Sequence, residues 1–391
     1  MRLCACGCSL QTPKLGGKLP GCISLVVGTR PEAIKLAPVA AALSARGLRP
    51  TIILTGQHPQ LEPAAFGLSS YSAVRLHCPG QANPHAHAGA VSRAVAALLS
   101  SHPSELVVIQ GDTSSALGGA LGARLAGIPV AHVEAGLRSH DIRNPWPEEE
   151  FRIAIDSECE LLFAPTELSA ANLRRERIRG AVHITGNSGI DAVLNMGASF
   201  ASRHSPGPPR LLVTCHRREN WGQGLAAIAS ALRQIAEEEI ARVEVILHPN
   251  PLVSGQMRAM LLGHPGIACR NACSHSEAVA AMLGSDLVLS DSGGIQEEAS
   301  VLGVPLLVLR IATERPEAIA SGNVELIGTD PKRIVSAVRG RLARNEATCA
   351  SLPFGDGHAG ERIAVIIADW LAARSEPELR LEAVGQTAYS W

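Results

Sequence analysis

A short apolar run that breaks at a turn of serines and glycines, and resumes as a helix, constrains this chain more than any other stretch. Residues 286–303 read DLVLSDSGGIQEEASVLG. Leu287-Val288-Leu289 has the character of a buried strand. Ser290, Asp291, Ser292, Gly293 and Gly294 make a turn that no strand continues through. From Ile295 to Leu302 the pattern is helical, and Gly303 stops it. Strand, small-residue turn and helix aim free backbone N–H groups and the positive end of a helix dipole at an anion. Gly293 and Gly294 leave room for a phosphate to approach the backbone. Ser292 adds a hydroxyl donor. Glu298, four residues after Gly294, has the reach for sugar hydroxyls attached to that phosphate. Taken alone, the turn is equally an ordinary strand-to-helix connection with a capped helix.

The same unit recurs along the chain. Residues 23–28, 51–55, 105–109, 129–133, 161–164 and 182–185 read as buried strands. Helical patterns start at Thr29 and fall at 91–99, 114–126, 148–159, 167–177 and 189–196. Residues 57–84 read as a long polar connection, with His85-x-His87 just beyond it in a loop. A Pro- and Ser-containing stretch at 199–209 reads as a linker. A second series follows, with strands at 211–214, 243–247, 287–289 and 306–309 and helices at 225–238, 276–283, 331–342 and 361–373. Strands alternating with helices imply parallel, doubly wound sheets. The expected fold class is α/β, with two Rossmann-like domains facing a central cleft. The first spans 22–198 and the second 210–360, and the last 18 residues are polar and expected to fray.

Composition narrows the function classes. With 46% hydrophobic residues, 3% aromatics and 37 Gly, the core must be built from Ala, Val, Leu and Ile, which suits many tight turns. A formal net charge of −1 argues against a protein that coats nucleic acid or binds membrane surfaces. No apolar run approaches the length of a membrane span. Of ten Cys, four crowd the first 22 residues, and Cys4-x-Cys6-x-Cys8 is not a zinc spacing. Residues 1–21 are expected to be a disordered extension or the product of an over-early start codon, and the protein to be cytoplasmic. No metal and no cofactor are implied.

Ligands of open α/β sheets collect at the carboxyl ends of the strands. Arg30, Gln57, Asp112, Glu134, His216, His248, Ser292 and Arg310 fall at those ends in both series. Singly, such residues are usually helix caps or surface pairs; Glu148 and Arg152 have the i, i+4 spacing of such a pair. Together they point to one cleft.

Nine stretches carry a resemblance. GTRPEAIKLAPV at 28–39, QGDTSSAL at 110–117, HVEAGLRS at 132–139, PWPEEEFR at 145–152, TCHRREN at 214–220, HPNP at 248–251, SDSGGIQEEAS at 290–300, TERPEA at 313–318 and PFGDGHAGERI at 353–363 resemble the non-hydrolysing UDP-N-acetylglucosamine 2-epimerases. The match covers residues 22–372 in order. It implies the GT-B fold, with a last helix crossing back to the first domain, and a homodimer. It implies inversion of carbon 2 of UDP-GlcNAc to give UDP-ManNAc. The route is elimination of UDP to a 2-acetamidoglucal and re-addition from the opposite face. On this resemblance Asp112, Glu134 and Glu148 are the proton-transfer carboxylates, without an assignment of acid and base. Ser292, Gly293 and Gly294, with Arg30 and catalytic His216, hold the diphosphate, and Glu298 the ribose. Lys35, Arg152 and Arg315 hold the carboxylates or the substrate. Gln57, Gln60, Arg217 and His248 resemble a site for a second, activating UDP-GlcNAc, although the arginine of regulated members is replaced near Gly80. Phe151 stands where the family has Asn, so either that position only packs or the substrate is a modified UDP-N-acetyl sugar. A hydrolysing epimerase releasing ManNAc and UDP shares the elimination step, and a GT-B glycosyltransferase shares the UDP cradle.

Overall fold

Short Val-, Ile- and Leu-rich strands buried on both faces pair in parallel when helices return the chain to the same edge. The computed structural model describes residues 21–197, 207–215, 217, 220–344 and 349–386. It contains two such sheets. The first is built from β1 (Cys22–Val27), β2 (Arg49–Leu54), β3 (Ser72–Arg75), β4 (Leu106–Gln110), β5 (Val130–Val133), β6 (Leu161–Ala164) and β7 (Ala181–Ile184). The second is built from β8 (Arg210–Thr214), β9 (Arg242–Ile246), β10 (Ile267–Arg270), β11 (Leu287–Ser290), β12 (Leu306–Val308) and β13 (Val324–Leu326). Their orders are β3-β2-β1-β4-β5-β6-β7 and β10-β9-β8-β11-β12-β13. Every strand pairing is parallel.

Both orders reverse beside their first strand, so each sheet has a crevice there. One opens between the carboxyl ends of β1 and β4, the other between those of β8 and β11. Apolar side chains cover both faces of each sheet. Ile363, Ala364 and Ile367 of the closing helix (Ala359–Gln386) pack with Ile23, Leu25 and Leu36 of the first sheet's core. Ile190 and Val193, from the helix Ser188–Gly197, pack with Leu212 and Val288 of the second.

The α/β class and the two doubly wound sheets agree with the pattern of the sequence. Several elements differ from it. The polar stretch 57–84 contains edge strand β3, and β10 and β13 also went unrecognised, as did the helix Pro251–Leu261. The helix expected at 91–99 begins at Pro84, where the Asn83 side chain caps the His85 and Ala86 N–H groups, so His85 and His87 are helical. The closing helix continues to Gln386, beyond the expected 361–373 and into the last 18 residues, which were expected to fray. Residues 1–20 and 199–206 and His216, for which the sequence carried expectations, lie outside the described residues. No helix among the described residues is long and apolar enough to cross a membrane.

Candidate active site

The two crevices face one another across a cavity of about 520 Å³. The first sheet's half contributes Arg30 and Lys35 from the helix Arg30–Ala45, Asp112 from the turn after β4, Glu134 after β5, and Glu148 from the start of the helix Glu148–Glu158. The second contributes Arg217, His248, Ser292, Gly293, Gly294, Glu298 and Arg315.

Glu134 is the hub of a buried network. It is the residue just past β5, in a left-handed backbone conformation with φ 72°, which turns its side chain into the cleft. Its carboxylate accepts from Lys35 Nζ at 2.6 Å, Asn187 Nδ2 at 3.0 Å and Arg315 Nη2 at 3.1 Å, and from Gln110 Nε2. Burial alone pushes this carboxyl up, but the Lys35 and Arg315 charges outweigh it and hold it at about 2. Asn187 also donates to Glu297 Oε2 at 2.7 Å, and Arg315 Nε donates to Glu297. Burial raises the Glu297 carboxyl, against the pull of Arg315 and Lys35. Arg315 also donates to Glu314, which accepts from Arg310 at 2.9 Å and Arg217 at 3.1 Å. Burial opposes ionisation of Glu314, yet Arg315, Arg217 and Arg310 drive its carboxyl well below the ordinary range.

Asp112 and Glu148 form a second acidic pair. Arg152 grips Asp112 Oδ2 through Nη2 at 2.5 Å and Nε at 3.1 Å. Its Nη1 donates to buried Glu149 at 2.7 Å. Glu149 accepts in turn from the Ser139 and His140 backbone N–H groups at 2.9 Å and 3.0 Å. The surface pair suggested by the Glu148–Arg152 spacing is therefore not what forms; Arg152 is buried and turned towards Asp112. Half-buried Glu148 has its carboxyl raised, first by burial and then by the Asp112 charge, with Arg217 and Arg152 pulling the other way. Phe151 is 1% exposed and belongs to the first sheet's core, with His85 edge-on at 5.1 Å. The position only packs.

Opposite these acids lies the start of the helix Gly293–Leu302. Ser292 is its N-cap but makes no side-chain capping bond, so its hydroxyl and the first-turn N–H groups are available to a ligand. The two glycines serve different ends. A Cβ on Gly293 would collide with the Arg315 guanidinium and lie 3.1 Å from Glu314 Oε1, whereas one on Gly294 would meet nothing closer than Ser292 Oγ at 4.0 Å. Gly293 admits the ion-pair network; Gly294 borders open space. Glu298 reaches the cavity wall and accepts from His275 Nε2 at 2.8 Å. Arg30 spans the cleft, donating to the Cys273 carbonyl at 2.7 Å.

Two expected residues lie elsewhere. Gln57 does not line the cavity; it accepts from Ser115 Oγ at 2.7 Å. Gln60 lines a neighbouring cavity beside the 63–66 turn. The possible activator set is thus divided, since only Arg217 and His248 face the main cavity. Gln110, Asn187, Glu297 and Glu314 were missed. Gln110, Glu297 and Glu314 lie within the quoted motifs and Asn187 lies outside all of them, and spacing does not reveal which carboxylates share an arginine or an amide. Among the described residues no group of three His, Cys, Asp or Glu is placed to hold a metal ion.

Two Rossmann-like sheets with facing crevices, and ionisable groups gathered between them, define an α/β enzyme of the GT-B architecture. Residues 41–368 match the family model for UDP-N-acetylglucosamine 2-epimerase. The UDP-N-acetylglucosamine 2-epimerase of Yersinia pestis is 37% identical over 362 residues, covering 86% of this chain and 96% of that protein. The crystal structure of UDP-GlcNAc 2-epimerase from Neisseria meningitidis bound to UDP-GlcNAc superposes with a TM-score of 0.81 at 31% identity, covering 89% of this chain and 100% of that one. The Methanocaldococcus jannaschii UDP-GlcNAc 2-epimerase in complex with UDP-GlcNAc and UDP gives a TM-score of 0.78 at 33% identity, covering 89% and 99%. The chain belongs to the UDP-N-acetylglucosamine 2-epimerase family.

Proposed function

We propose that the protein inverts carbon 2 of UDP-N-acetylglucosamine by eliminating UDP and adding it back through a 2-acetamidoglucal. One observation carries this reading. A carboxyl raised by burial and a like charge, Glu148, faces across one cavity a helix start able to hold a departing diphosphate. In the forward step the carbon 2–hydrogen bond and the carbon 1–oxygen bond break and a carbon 1–carbon 2 double bond forms. The proton passes to a carboxylate and UDP leaves with the bonding pair. The reverse step delivers a proton to the opposite face. Glu148 and Asp112 are the groups best placed to exchange protons, because both line the cavity in different settings: burial and the Asp112 charge raise the Glu148 carboxyl, while Arg152 grips Asp112. Glu134, committed to two cations, holds the halves of the cleft together and orients Lys35 towards the sugar. Ser292, the first-turn N–H groups and Arg30 hold the diphosphate, with His216 completing the cradle, and Glu298 takes the ribose.

UDP-GlcNAc incubated with the protein in D2O is expected to gain deuterium at carbon 2 and to reach a mixture with UDP-ManNAc. No deuterium, with UDP binding intact, would overturn the reading. UDP accumulating in step with free sugar would replace re-addition by hydrolysis. The same reading includes a homodimer, for which sedimentation equilibrium should give twice the 40.9 kDa chain mass.

A further inference from the structure

His132 is a buried titratable side chain that the proposed chemistry leaves unused. It lies on β5, 1% exposed, two residues before Glu134. Its Nδ1 is 2.7 Å from Asp156 Oδ1, and its Nε2 is 2.9 Å from the Gly111 carbonyl oxygen. A carboxylate and a backbone carbonyl only accept. A neutral imidazole has one N–H and one lone pair, so in either tautomer a lone pair would point at an oxygen. Both contacts are satisfied only when each ring nitrogen donates.

We infer that His132 is held as an imidazolium and is a positioning residue: by fixing the Gly111 carbonyl, it sets the turn that directs Gln110 to Glu134 and places Asp112 in the cleft. This rests on the function proposed above. The surrounding charges agree. Asp156 is fully buried, and its other oxygen accepts from Arg138 at 2.8 Å and from the Gly136 N–H at 3.2 Å. Burial pushes the Asp156 carboxyl up, but His132 and Arg138 outweigh it and keep it ionised. Arg138 also makes a bidentate pair with Glu176 at 2.7 Å and 2.6 Å. Glu176 lies at the surface, so Asp156 is the buried carboxylate beside the ring, and the two acceptors at the ring nitrogens carry the assignment.

The lever is the Gly111 peptide. Gly111 has φ 71°, and its N–H donates to the Val133 carbonyl at 3.1 Å. That bond and the His132 bond clamp the residue from both sides. Gln110 before it donates to Glu134, and Asp112 after it accepts from Arg152. A shift of this one peptide displaces both acids, and misplacement by about an ångström costs on the order of a hundredfold in rate.

The charge is tested on the unmodified protein. With histidine ring nitrogens labelled and His132 assigned through its backbone resonances, both nitrogens are expected to give N–H signals at neutral pH. A lone-pair nitrogen at His132 would overturn the inference. This readout needs no turnover, so it stands apart from any failure of the epimerase reading. The positioning is tested in Asp156→Asn, which keeps the shape but removes the counter-charge, and in His132→Gln. Either variant, if folded by thermal melt, is expected to lose on the order of a hundredfold in kcat for carbon 2 exchange, with KM and UDP affinity within about twofold. Unchanged kcat, or equal losses in kcat and UDP affinity, would reject a positioning role.

Discussion

Asp112 and Glu148 show how far a single residue's chemistry depends on its neighbour. Both were visible as acids at a strand end and a helix start, and which would carry a proton was not. The cleft separates them, because Arg152 holds Asp112 while burial and the Asp112 charge raise Glu148. Asp112→Asn removes that like charge. Glu148 then ionises more easily, so the limb it sets in the pH profile of residual carbon 2 exchange should move to lower pH. The maximal rate should fall by a factor on the order of 10²–10³. A limb that stays in place, measured by NMR across an acid series, would show that another group sets it. The Glu148–Arg152 spacing misled because i, i+4 neighbours pair only when nothing better is in reach, and a buried arginine turns to the partners that satisfy most of its donors. Phe151 is the reverse case. Its chemistry suggested an altered substrate, but only packing reveals that the ring never faces the cleft.

At the scale of the element, the strand–turn–helix at β11 was legible because every part had a local cause: an apolar run, glycines, and a helical period ended by Gly303 with φ 67°. The division of labour between the glycines was not legible, since it depends on Arg315, distant in sequence. Gly293→Ala should displace the Arg315 guanidinium and destabilise the fold by about 1–3 kcal/mol, read from denaturant unfolding. Gly294→Ala should unfold like the parent yet bind UDP about tenfold more weakly by calorimetric titration, because its Cβ takes the space a phosphate oxygen needs. The opposite ranking would place the diphosphate elsewhere. Strands β3, β10 and β13 escaped detection for a common reason. Each has only three or four residues, is partly exposed and lies at a sheet edge with weak apolar patterning.

Across the whole molecule, we propose that the halves 22–198 and 210–360 are separate domains joined by the apolar packing of Ile190 and Val193 and by a few polar contacts. Thr166 Oγ1 donates to Glu317 at 2.5 Å, Arg30 reaches the Cys273 carbonyl, and Arg315 reaches Glu134. Asn187 bonds to both halves at once. Its backbone N–H donates to the Phe354 carbonyl at 2.7 Å, and its Oδ1 accepts from the Gly189 N–H at 2.9 Å. Its amide nitrogen stands between two carboxylates, Glu134 of the first half and Glu297 of the second. A neutral donor joins them; a third carboxylate there would repel both. Asn187→Asp is therefore expected to cost about 3–5 kcal/mol, the scale of an uncompensated buried charge. Lys35 and Arg315 are already shared between Glu134 and Glu297, so no spare cation offsets the new one. The strain is relieved most cheaply by parting the halves. Small-angle scattering should show a larger radius of gyration, and carbon 2 exchange should be lost even where each half keeps its helicity by circular dichroism. Asn187→Ser, which removes the bridge without adding charge, should fall between the two. If Asn187→Asp keeps both the parent radius and the parent unfolding midpoint, the halves are held together by something other than this carboxylate bridge.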